Sequence, residues 1–293
     1  MSSDKIKDAI NKYKNQEHDD EIKSASSYDI PKSNNTVKPE ITYKETDPDL
    51  IVGYELIPLP SKGINKYNGV GFNEFKVEYL TSQDEDVLTT PSLIESGTVL
   101  DVLLKRKIKE NINLDELYYG DKNAITLFLR SSSYGFEYDV EVYDPRTGKP
   151  FKTSVDLRKL KHKKINEFPD EQGLYTVELD VRQKIVKFKL LTSGEEKNIL
   201  QKSDAIKEAY NEEVSQFNSL KLKSHIVSVD GKTDRSYIDK FVNALPLKDT
   251  YKIRKKILEV TPDLDMEYEF KTKDGYKFKA KLSIGIDFFF PNI

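Results

Sequence analysis

Gly120-Asp121-Lys122-Asn123-Ala124-Ile125, then Leu127-Phe128-Leu129-Arg130, then Ser133-Tyr134-Gly135, then Asp144-Pro145-Arg146-Thr147-Gly148 follow one another within residues 120–160. Their order decides the fold class. Asp121 is placed to cap a helix, because its carboxylate can accept N–H bonds left open in a first turn. Ala124, Ile125, Phe128 and Leu129 fall on one helical face. Arg130 suits the negative end of that helix. Gly135 can end it in a left-handed conformation. Phe136, Tyr138, Val140 and Val142 then alternate with Glu137, Asp139 and Glu141, the period of a half-buried strand. Pro145 and Gly148 supply turn chemistry, and Phe151, Thr153 and Val155 alternate on the return. The stretch is a helix feeding a β-hairpin. Gly135 and Gly148 are too far apart for a phosphate loop, and the strand–loop–helix order is missing.

A weaker echo runs from Ile253 to Phe278. Tyr251, Ile253, Ile257 and Leu258 mark a helix, Met266, Tyr268 and Phe270 alternate, and Lys273-Asp274-Gly275 turns the chain. Upstream, Pro58 and Pro60 impose an extended stretch. Pro60, Lys62 and Gly63 then turn it, and Phe75, Val77 and Tyr79 form a strand. Ser82 and Glu85 match a capping box, which starts a helix at Ser82. Pro91 opens a short helix ending at Gly97. Leu100, Leu103, Leu104 and Ile108 mark another, whose exposed face carries Lys105, Arg106, Lys107 and Lys109. Leu174–Leu179 and Ile185–Leu191 read as an antiparallel pair, 195–217 as a long helix and Leu222–Val229 as a strand. The expected class is α+β, with mixed, largely antiparallel sheets, β-hairpins and several packed helices, built as two similar helix–hairpin subdomains. The expected divisions are an arm and linker over 1–48, a subdomain over 49–193, a connecting helix over 194–219 and a second subdomain over 220–293.

The chain has 293 residues, 37% hydrophobic, and a formal net charge of −3, which gives no case for general nucleic-acid affinity. The Lys105–Lys109 and Lys159–Lys164 runs read as solvated faces before they read as a nucleic-acid surface. With no cysteine, disulfides and thiolate metal sites are excluded. His18, His162 and His225 lack metal spacing, and Asp263, Asp265 and Glu267 lack a calcium-loop pattern. No apolar run reaches the ~18 residues of a membrane helix. No catalytic constellation, cofactor or metal is expected. Phe288, Phe289 and Phe290 suit core closure first and a contact with a neighbour second, and Ile6, Ile10 and Tyr13 form a thin amphipathic stripe also suited to a neighbour. Pro60, Lys62, Gly63, Asp121, Arg130, Gly135, Gly148 and Gly275 are expected to hold local structure.

Several short motifs occur in a specific order. They are Leu59-Pro60-Ser61-Lys62-Gly63, Thr81–Leu88 with Asp84-Glu85, Leu117-Tyr118-Tyr119-Gly120-Asp121-Lys122, Leu129-Arg130 and Ser133-Tyr134-Gly135. Farther on come Val155-Asp156-Leu157, Val229-Asp230-Gly231, Phe241-Val242, Asp249 with Arg254, Thr261-Pro262-Asp263-Leu264-Asp265 and Phe288-Phe289-Phe290-Pro291. In this order, over about Tyr54–Pro291, the chain resembles the T4-type phage baseplate hub family of contractile tails. The resemblance implies a structural or assembly protein that contacts other baseplate or tail proteins, and a homo-oligomer is compatible with it. Its place would be the virion tail, and the host cytoplasm during assembly. A transient assembly chaperone absent from the mature virion is the alternative, and a nucleic-acid-binding module a second. Many members of that family carry Cys-x-x-Cys at each hairpin turn, which suggests zinc knuckles. Here the turns read Asp144–Gly148 and Thr272–Gly275, so no zinc carries over. Pro and Gly geometry must hold these turns instead.

Overall fold

The computed structural model describes residues 51–67, 69–210, 215–282 and 284–289. The expected arm, with Ile6, Ile10 and Tyr13, lies outside these residues, as does Phe290. Strand β1 (Tyr54–Pro58) pairs antiparallel with β4 (Glu74–Glu78), and β2 (Lys66–Tyr67) pairs with β3 (Val70–Gly71) between them. Alternation sends Ile57, Phe75 and Val77 inward and leaves Tyr54 and Leu56 exposed. Three helices follow: α1 (Ser82–Thr89), α2 (Pro91–Glu95) and α3 (Val99–Lys107). The N-cap of α1 is Thr81, so the box sits one residue earlier than expected, with Asp84 rather than Glu85 as its acid. Asp84 Oδ2 accepts from the Thr81 N–H and hydroxyl, both at 2.9 Å.

Helix α4 (Tyr119–Tyr134) leads into the hairpin β5 (Glu137–Tyr143) and β6 (Pro150–Asp156). Val155 is buried and Phe151 half-buried, as the period of two requires. Phe136 differs from the expected alternation: it lies before the paired segment and is exposed. Strands β7 (Tyr175–Glu178) and β8 (Ile185–Phe188) pair antiparallel as expected. After α5 (Ser193–Tyr210) comes α6 (Phe217–His225), where a strand from Leu222 was expected. Leu222 and His225 are three apart and both buried on one helical face. Only β9 (Ile226–Val229) is extended, and it joins β8 antiparallel. Helices α7 (Arg235–Asn243) and α8 (Leu247–Val260) precede the last hairpin, β10 (Glu267–Lys271) with β11 (Lys277–Lys281). The class is α+β, and every strand pairing among the described residues is antiparallel.

Apolar burial divides between two cores. The first joins β1, β4, α1, α3 and α4 to Val155, Phe270, Phe288 and Phe289. The second joins β7–β9 to Leu222 of α6, Ile238 and Val242 of α7, and Ile253 and Val260 of α8. The second core is therefore an insertion between the two hairpins of the first. Its neck is a short antiparallel contact. The Lys163 N–H donates to Asp263 O at 2.8 Å, and the Asp265 N–H donates to Lys161 O at 2.7 Å. This division does not follow the expected boundaries at 193/194 and 219/220, since β8 and β9, from either side of them, share one sheet.

His225 sits at the end of α6 with its Nδ1 2.7 Å from Lys189 O. A carbonyl only accepts, so Nδ1 carries the proton. Burial, against the raising effect of that bond, pushes the imidazole down from 6.5 to about 4. The native state thus refuses a proton that the unfolded chain takes below pH 6.5. No penalty exists above that pH. Between pH 6.5 and 4 the fold should lose about 3 kcal/mol through this residue. Denaturant titrations of wild type and His225→Gln across pH 4–8 check this: the variant's stability should fall less steeply as pH drops.

Candidate interaction surface

The residues expected to hold local structure converge on α4. At its start, Asp121 is the third residue of the helix and fully buried. It does not cap α4. Its Oδ1 accepts from the Ser61 N–H at 2.9 Å, and its Oδ2 accepts from the Tyr67 hydroxyl at 2.5 Å. Burial holds the Asp121 carboxyl above its ordinary range despite these bonds. Burial and the nearby Asp121 charge also push the Tyr67 hydroxyl up. The turn so held contains buried Pro60, exposed Lys62 at φ 48° and Gly63 at φ 77°. Gly120 meets a second segment: a Cβ there would lie 2.1 Å from the Pro262 carbonyl oxygen.

At the other end of α4, Arg130 is 2% exposed. Its Nε donates to Phe288 O at 2.7 Å and its Nη1 to Gly135 O at 3.2 Å. The guanidinium lies 5.1 Å from the Tyr134 ring centre and 5.9 Å from that of Phe288. Gly135 ends α4 with φ 81°. The consequence for Phe288 and Phe289 is a correction. They are 3% and 1% exposed, packed in the first core, and present no anchor on this chain's surface. The Arg130 bond to the Phe288 carbonyl draws the segment inward, and the Tyr138 ring meets Phe288 edge-on.

The hairpin turns hold by more than Pro and Gly. Gly148 and Gly275 have φ 67° and 91°. Between the turns, Arg146 Nη2 bonds Asp144 at 2.8 Å and Asp274 at 2.9 Å, and its guanidinium lies 4.1 Å from the Tyr276 ring centre. The bond from Arg146 holds the Asp144 carboxyl below the ordinary range, and bonds from Thr272 and Arg146 do the same for Asp274. Opposite charges in two turns were the available sequence signal for this clasp, but periodicity does not pair them.

The basic run on α3 is not an open face. Lys107 is buried and paired with Asp84, and Arg106 Nε bonds the same carboxylate at 3.0 Å. Burial alone would raise Asp84; the bonds from Lys107 and Thr81 outweigh it and hold the carboxyl low. Lys109 pairs with Glu78 at 2.8 Å. In the second run, Lys163 donates to the Leu258 carbonyl, and Lys159 lies 5.6 Å from the Tyr268 ring centre. Lys107 is thus lost from the surface, while Lys105, Lys159, Lys161 and Lys164 remain exposed. Among the described residues no cluster of side chains could hold a metal ion, and no helix is long and apolar enough to cross a membrane.

The clearest exposed apolar surface on one element is on α8. Leu247, Tyr251 and Leu258 are 85%, 69% and 59% exposed. They recur at helical spacing on the side opposite Ile253 and Val260, which are buried. The sequence reading pooled Tyr251 and Leu258 with Ile253 and Ile257 and so missed that one helix carries two apolar faces.

The described residues form small antiparallel sheets and helices, in which the buried charges of Asp84, Asp121 and Arg130 are bonded within the chain. The family model described as T4 bacteriophage base plate protein matches residues 53–290. The chain belongs to that family. Searches of curated proteins and of solved structures find no match.

Two substitutions test the α4 frame. Arg130→Ala should cost about 3 kcal/mol, because two carbonyls lose a charged donor inside the fold, and Arg130→Lys should cost less. Gly120→Ala should cost about 1–3 kcal/mol by overpacking against Pro262. Urea unfolding midpoints measure all three.

Proposed function

We propose that this chain is a structural or assembly subunit of the baseplate hub in a contractile phage tail, acting by protein–protein contacts. Family membership over residues 53–290 places it among baseplate proteins. The observation that carries the contact mechanism is the α8 surface, where three large apolar side chains face outward on one helix. Isolated exposed apolar residues are common, but an aligned set on a rigid element marks a site of association. The partners are other baseplate or tail proteins, and the site of action is the tail of the virion. No reaction is proposed, and the chain's work is to position surfaces.

Affinity capture of the tagged chain from cells producing the whole tail, followed by mass spectrometry, tests this reading. Recovery of other tail proteins is expected, and Leu247→Glu with Tyr251→Glu should reduce it at least about fivefold, the effect of removing central apolar contacts. Detection of the chain in purified particles separates a permanent subunit from an assembly chaperone. Capture of nucleic acid with no tail protein would overturn the reading.

A further inference from the structure

The outward face of α8 has a spacing that its inward face lacks. Leu247, Tyr251, Arg254 and Leu258 are all exposed. At about 100° per residue they lie within a strip roughly 60° wide. The steps between them are four, three and four residues, so the strip has the same spacing read from either end. Its midpoint falls between Lys252 and Ile253.

We propose that this strip is a two-fold, antiparallel contact between two copies of the chain. A dyad through the midpoint sets Leu247 of one copy against Leu258 of the second. It sets Tyr251 against Arg254, a guanidinium over an aromatic ring. Lys248 and Glu259 are exposed on one flank of the strip. The dyad keeps that flank on the same side in both copies, so Lys248 of one lies beside Glu259 of the other. Each pair occurs twice, as a self-complementary interface requires. An acidic segment of another protein would match Lys248, Arg254 and Lys255. It would leave the symmetric spacing without a role, and the second copy accounts for it; Glu259 also lies 4.0 Å from Lys255 of its own helix.

Helix α8 is only about 20 Å long, so the contact is smaller than a standard interface. In isolation the contact is therefore weak. Copies held side by side in an assembly would pair at far lower bulk concentration, because the second contact becomes intramolecular. The inference deepens the contact reading, which rests on the same face: capture of other tail proteins by a chain that stays monomeric would keep the hub reading and overturn this pairing.

The absence of cysteine makes cross-linking specific. Full-length Leu247→Cys and Leu258→Cys variants are oxidised separately and as a mixture. Antiparallel pairing brings position 247 to 258 but keeps 247 far from 247, beyond the reach of a disulfide. The mixture should therefore give covalent dimer, and each variant alone little. Sedimentation equilibrium of the wild-type chain should show a reversible dimer, which Lys248→Glu weakens and the double change Lys248→Glu with Glu259→Lys restores. These positions are exposed, and circular dichroism checks that each variant folds. Monomer mass throughout the concentration range overturns the proposal. Cross-linking of Leu247→Cys with itself also overturns it, since that requires parallel helices.

Discussion

The structure depends on α4 being fixed at both ends by buried charge. At its start Asp121 binds a turn 60 residues away, and near its end Arg130 binds a carbonyl 158 residues away. Both groups are removed from water, so each needs its partners in place. A buried donor or acceptor left open costs more than the bond it replaces contributes. Only an arrangement in which the 59–67 turn, the hairpin and the 288–289 segment reach α4 together satisfies both ends. Apolar packing alone would tolerate several ways of laying those segments on the helix. The two charged ends narrow that choice.

The same device appears three times. Asp84, Asp121 and Asp249 are each the third residue of their helix, and each is fully buried. A carboxylate there is favoured by the helix dipole, which offsets part of the cost of burial. In each case it binds outward. Asp84 takes Arg106 and Lys107, Asp121 takes Ser61 and Tyr67, and Asp249 takes the Val181 and Arg182 N–H groups at 2.9 Å each. The echo between the two helix–hairpin units reaches this detail, since α4 and α8 both carry such an aspartate. Their hairpins pack together through Phe151 and Phe278 and through the Arg146 clasp. Their helices do not share a core: α4 serves the first and α8 the second.

What the sequence made legible was local. The alternation from Tyr138 to Val142, the Pro91 start and the Gly135 stop are decided within a few residues, and the structure follows them. Errors arose where a residue's partner is distant in sequence. Asp121 looks like a cap because nothing nearby shows that Ser61 and Tyr67 claim its oxygens. Lys107 looks solvated because its partner Asp84 lies in another helix, with a third helix between them. Phe288 and Phe289 suit core closure first and a neighbour second, and the Arg130 bond to the Phe288 carbonyl goes with the first. Phe217–His225 misled differently, because its apolar residues fit both periods and only burial of Leu222 with His225 separates them.

The aromatic C-terminal residues that are described belong to the interior, so they do not account for contact with neighbours. That shifts weight to α8. Ile253 and Val260, with Ile257 beside them, anchor this helix to the second core. Leu247, Tyr251 and Leu258 add nothing to that attachment, because they face away from it. Large apolar side chains in water lower solubility and invite association. Beside them α8 carries charge at exposed Lys248 and Lys255. In a protein of the baseplate family, the neighbour we propose for that apolar face gives it a use that folding does not.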